Sequence, residues 1–234
     1  STPSKKIQKV SSIFVREYFI NLRTSTKMNQ MPSTAASEWK KMADFGTYHH
    51  STHRCSEKIR EKVNILFTEV FGDLPFAQDD KLKILDVGCG LGFLSCVCAE
   101  YYPKAKITGI DTFEHASLKG SSLTKAKNNA KILEFSERIR FQKGDVFSSD
   151  YSKGKFNLFV SNLVFHNFGR KRFDAYQRLA QWMTPKSYIV LGDVFFDYKT
   201  DSRRLASHFS NVEERPGSTI GGAYKVLVMS EPKK

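Results

Sequence analysis

The residues best able to do chemistry in this chain of 234 residues form one run, Asp86-Val87-Gly88-Cys89-Gly90-Leu91-Gly92. Closely spaced glycines let a backbone turn tightly and approach a ligand. The spacing departs from the dinucleotide fingerprint, in which the third glycine comes three residues after the second. Asp86 also precedes the first glycine by two positions. A pyrophosphate is poorly served by that carboxylate, whereas a cationic ligand is not repelled. Two more acids stand where a ligand could use them. Asp111 closes Thr108-Gly109-Ile110-Asp111, followed by Thr112. A carboxylate there can accept both hydroxyls of a ribose, although capping a helix is the plainer role. Gly144-Asp145-Val146 is a second candidate turn, and an ordinary loop is its plainer reading.

These residues need strand ends to hold them. Residues 83–87 read as a short apolar strand that runs into the glycines, and 91–102 as the helix that follows, stopped by Pro103. Strands are expected at 106–110, 138–142, 156–160 and 188–192, with helices at 114–135, 170–183 and 201–209 between or after them. Segments 212–214 and 223–230 can pair as the last two strands. An amphipathic helix at 54–71 precedes the alternation, with Ile59, Val63, Leu66, Phe67 and Val70 at helical spacing. Alternating strands and helices predict an α/β fold with a parallel, doubly wound sheet. Ligands of such sheets bind at the carboxyl ends of the strands. Asp86, Asp111 and Asp145 are all expected there.

Taken together, the glycine run and the two later acids resemble motif I and its companions in the class I S-adenosylmethionine-dependent methyltransferases. The resemblance covers roughly residues 80–195 and continues more weakly to the end. It implies a mostly parallel seven-stranded sheet, here with an N-terminal helical extension, and S-adenosyl-L-methionine as cofactor. Asp86, Gly88, Cys89, Gly90 and Gly92 would form its cradle. Asp111, with Thr112 beside it, would hold the ribose. Asp145 would take the adenine amino group and the Val146 backbone a ring nitrogen. Ser161 and Asn162 would shape the cofactor floor.

The acceptor side is read from Val160-Ser161-Asn162-Leu163-Val164-Phe165-His166-Asn167. It lacks the Asn/Asp-Pro-Pro-aromatic motif of enzymes that methylate exocyclic base amines. No Pro-Cys pair offers the nucleophile of cytosine C5 enzymes. The string is similar instead to the ubiquinone/menaquinone-type small-molecule methyltransferases. His166 is nominated as general base, since a histidine takes a proton near neutral pH. Its alternative is a packed residue bonded to the backbone. Tyr48-His49-His50-Ser51-Thr52-His53-Arg54-Cys55 could form a lid, with Tyr48 near the sulfonium and His49 or His50 facing the acceptor. Three histidines and a cysteine could also hold a metal, but no further ligand is evident elsewhere, so no metal is assigned.

The formal net charge is +13, which favours anionic partners such as nucleic acid, although scattered lysines also serve solubility. Residues 1–37 form a basic arm with Glu17 as their one acid, and residues 38–234 form the methyltransferase domain. The arm can be a transit peptide, a cover for the site or a plain tail. No apolar run reaches the roughly 20 residues of a membrane span. The cysteines, none in a CxxC pair, are expected as reduced thiols of a cytoplasmic protein, or a mitochondrial one if the arm is a presequence. A small-molecule acceptor is the first expectation. RNA or protein acceptors, or a non-catalytic methyltransferase-like subunit of a larger complex, are the alternatives.

Overall fold

The computed structural model describes residues 42–49, 51–115, 117–215, 220 and 223–233. The basic arm, 1–37, and His50 lie outside the described residues. Asp44–Lys234 forms one compact unit.

The first helix, α1, spans His53–Asp73. The Thr52 side chain caps it by accepting from the Cys55 N–H at 3.2 Å. Leu74 ends it in extended backbone, the conformation favoured before Pro75. Val63, Phe67 and Phe71 on its inner face are buried. Then β1 (Lys83–Val87), α2 (Phe93–Tyr101), β2 (Lys106–Asp111), α3 (Leu123–Ile132), β3 (Ile139–Lys143) and β4 (Leu158–Asn162) follow. A 3₁₀ helix at Phe165–Lys171 leads into α4 (Arg172–Trp182). The chain closes with β5 (Tyr188–Val194), α5 (Tyr198–His208), β6 (Phe209–Arg215) and β7 (Tyr224–Pro232).

The seven strands form one sheet in the order β3-β2-β1-β4-β5-β7-β6. The first five are parallel, and β7 runs antiparallel to both β5 and β6. Central strands such as β1 and β4 are nearly continuous apolar runs because helices cover both faces. The order reverses between β1 and β4, so their carboxyl ends open a crevice. Register brings Asp86 beside Gly109 and Val160, and Asn162 beside Gly192.

Several element bounds differ from expectation. The long helix at 114–135 is only Leu123–Ile132. Gly120 adopts left-handed backbone, and Ser122 caps the true start by accepting from the Lys125 N–H. The freed stretch carries Leu118, which forms a β-bridge with Tyr48. The helix expected at 170–183 starts at Arg172 because Gly169, at φ 55° and ψ −130°, breaks it from the 3₁₀ turn. Helix α5 begins at Tyr198 rather than 201. Its Asp197 cap accepts from the Thr200 N–H at 3.1 Å.

Candidate active site

The carboxyl ends of β1, β2 and β4 surround a cavity of about 820 Å³, a size that suits a small-molecule ligand. Gly88 forms its floor at φ 73°, where a Cβ would stand 2.4 Å from the Val164 side chain. Gly88 and Cys89 donate to the Ile110 carbonyl at 2.8 and 3.0 Å. Gly90 donates to one Asp111 oxygen at 2.9 Å, and Phe113 donates to the other at 2.6 Å. Asp111 thus ties the glycine turn to the end of β2 while lining the cavity beside Thr112.

Asp86 also lines the cavity and is almost wholly buried. Ser95 Oγ donates to it at 2.6 Å. Burial, with help from the Asp111 charge, raises the Asp86 carboxyl to about 7. Asp145 reaches the cavity from the turn after β3, and one of its oxygens accepts from the Phe147 N–H at 3.0 Å. Val146 lies beside it, with its carbonyl held by Arg178 Nε at 2.8 Å. Tyr48 closes the wall from the segment before α1. Its N–H donates to Ser56 Oγ at 3.0 Å, and the Arg60 guanidinium stands 5.4 Å over its ring. Burial raises the Tyr48 phenol, and Arg60 opposes the shift.

Two expected cofactor residues are not brought to the cavity. Ser161 Oγ donates to the Val87 carbonyl at 2.7 Å and is buried between β4 and β1, so it clamps strands rather than touching a ligand. Gly92 begins α2 in left-handed backbone, and the Phe141 ring fills the place of its missing Cβ. It shapes the turn without lining the cavity. Cys89, by contrast, is in the wall. Burial pushes the Cys89, Cys96 and Cys98 thiols well up, so none is a ready nucleophile.

His166 lines the same cavity. Its Nδ1 lies 2.5 Å from Asp193 Oδ1. Asp193 is buried and also accepts from the Phe165, His166 and Val194 N–H groups at 2.6, 3.2 and 2.7 Å. A carboxylate only accepts, so Nδ1 is the donor, and in the neutral ring Nε2 carries the lone pair. Sequence reasoning missed Asp193. An acid at a strand end, the signal that found Asp111, was present in Gly192-Asp193. His49 lines the cavity too, and its N–H donates to the Ser117 carbonyl at 2.8 Å. Among the described residues no group of three His, Cys, Asp or Glu could hold a metal ion. His53 faces Glu57 at 3.6 Å on the exposed start of α1.

Asp86, Asp111 and Asp145 face the cavity, and no lysine or arginine is among its described wall residues. A positively charged protein has therefore built a locally acidic pocket over a glycine turn. The methyltransferase domain family model matches residues 78–224. The chain belongs to the class I S-adenosylmethionine-dependent methyltransferases.

Relatives agree on the family and differ in acceptor. The chain is 37% identical over 102 residues to ribosomal RNA small subunit methyltransferase C of Erwinia tasmaniensis, covering 42% of this chain and 26% of that protein. It is 24% identical over 174 residues to malonyl-[acyl-carrier protein] O-methyltransferase of Halalkalibacterium halodurans, covering 67% and 60%. The chain thus spans about a quarter of the first relative's length and under two thirds of the second's. Human N-acetylserotonin methyltransferase, solved in complex with S-adenosylmethionine, superposes with a TM-score of 0.50 at 18% identity, covering 75% of this chain and 57% of that one. That likeness is one of fold.

Proposed function

We propose that residues 38–234 transfer the methyl group of S-adenosylmethionine to a small-molecule acceptor, with His166 as general base. The observation that carries the proposal is the shared cavity. It places a glycine turn and three carboxylates opposite a histidine anchored on a buried aspartate.

The residues fit the cofactor. Asp111 would accept the ribose hydroxyls and Asp145 the adenine amino group, and the Val146 N–H would donate to a ring nitrogen. Asp86 and the Gly88–Gly90 turn would hold the amino-acid end, and an acidic wall suits the cofactor's ammonium and sulfonium. Tyr48, on the same wall, would stand near the sulfonium. When bound, the cofactor supplies an activated methyl on a cationic sulfur. The chain's own task is then alignment and exclusion of water. His166 Nε2 takes the proton that the acceptor hydroxyl or neutral amine loses as the new bond to methyl forms and the carbon–sulfur bond breaks. Asp193 holds the ring and stabilises the imidazolium that results.

An RNA acceptor is the second reading. It is favoured by the +13 charge and by the likeness to the ribosomal RNA enzyme. The lack of lysine and arginine in the described cavity wall weighs against a phosphate entering it. Incubation with methyl-labelled S-adenosylmethionine, a mixture of hydroxylated aromatics and quinols, and ribosomal RNA separates the two. The proposal expects label in the solvent-extractable fraction, lost in His166→Gln. Label confined to RNA would contradict it.

A further inference from the structure

Beyond the cavity floor lies a polar cluster that the transfer chemistry above does not use. Asn162, the last residue of β4, lines the cavity. Its Oδ1 accepts from the Tyr224 hydroxyl at 2.7 Å. Tyr224 comes from β7, is buried, and has its phenol held protonated by burial and by the nearby Asp193 charge. Gly192 makes the pairing possible. A Cβ there would stand 2.2 Å from the Tyr224 hydroxyl and 3.0 Å from Asn162 Oδ1. Leu163 follows in left-handed backbone, at φ 57°, with its N–H donating to the Gly192 carbonyl at 2.8 Å. A left-handed leucine is strained and persists where the surroundings impose it, often at ligand sites.

The arrangement fixes which edge of the amide is offered. With its oxygen turned to Tyr224, Asn162 presents Nδ2, a donor only, on the opposite edge. His166 is fixed from the neighbouring residue of the same strand. Asn162 pairs in register with Gly192, and His166 is held by Asp193. The amide and the imidazole line the same cavity.

We infer that Asn162, oriented by Tyr224, is a specificity-determining residue for an acceptor with two neighbouring oxygens. One is the hydroxyl that His166 deprotonates, and the other is a carbonyl-type oxygen that accepts from Asn162 Nδ2. The acceptor class is a phenol or enol with an adjacent carbonyl. Tyr224 is a positioning residue, since it acts through Asn162. This inference rests on the proposed donor site and base.

The test titrates 2-hydroxyacetophenone and phenol, separately, into the protein saturated with S-adenosylhomocysteine. The ketone is expected to bind at least tenfold more tightly than phenol. Asn162→Asp keeps an oxygen for Tyr224 to bond but removes the donor, and should erase the preference. Tyr224→Phe frees the amide to rotate and should reduce the preference to about threefold. Affinity for S-adenosylhomocysteine and thermal melting report whether each variant is folded. A wild-type protein with no preference for the ketone, or Asn162→Asp with the preference intact, would overturn the inference while leaving the donor site standing. Absence of S-adenosylhomocysteine binding by the wild type would overturn both.

Discussion

At the scale of residues, each carboxylate's role follows from what it is bonded to. Asp193 uses its oxygens on three backbone N–H groups and one imidazole, so its work is to orient. Asp193→Asn offers an amide that can donate to Nδ1, which favours the tautomer with its proton on Nε2. The cavity then loses its base. The expected result is a fall in kcat on the order of 100-fold or more, with KM for S-adenosylmethionine little changed. Asp86 behaves differently. Its pKa in the folded chain is raised to about 7, whereas an unfolded aspartate titrates near about 3.9. Between those values the folded chain holds the extra proton, so this residue's contribution to stability is lost as pH rises through the window. Melting temperatures from pH 4 to 8 should show that fall, and Asp86→Asn should flatten it. His166 was legible in the sequence because a lone histidine after a strand invites a role. Asp193 carried a local signal, an acid at a strand end, but its partner His166 and the role of Tyr224 come only from β5 and β7 meeting β4.

At the scale of elements, the glycine turn does two separate jobs. Gly88 and Gly90 line the cavity, while Gly92 lets the start of α2 pack under Phe141. Gly92→Ala meets both a positive φ and a Cβ placed 2.4 Å from the Phe141 ring. It should destabilise by about 2–4 kcal/mol, read by denaturant unfolding. Strand positions could be read from sequence because a parallel sheet covered on both faces needs continuous apolar runs. The helix at 114–135 was overextended for a physical reason. Its lysines and alanines suit a helix, but Gly120-Ser121-Ser122 breaks it, and the stretch before it is drawn off to pair with Tyr48. Ser161 does not line the cavity because its hydroxyl is taken up by the Val87 carbonyl of the neighbouring strand, a pairing the sequence pattern along β4 does not show.

At the scale of the whole molecule, charge and cavity point in different directions. The chain carries +13, yet its described cavity wall holds three carboxylates and no lysine or arginine. The basic surface therefore acts outside the pocket, and any affinity for RNA should fall steeply with salt. Cofactor binding, set inside the pocket, should change far less over the same range of 50 to 200 mM salt. Among the described residues no helix is long and apolar enough to cross a membrane. The central claim is that the acidic cavity over the glycine turn holds S-adenosylmethionine through Asp111. Calorimetric titration with S-adenosylmethionine, beside the Asp111→Ala variant, tests it most directly. Micromolar binding that the substitution weakens by about tenfold or more is the expected result, since a charge-assisted hydrogen bond contributes roughly 1.5–3 kcal/mol. A folded wild-type protein that takes up no cofactor, or an Asp111→Ala variant that binds as tightly as the wild type, would contradict it.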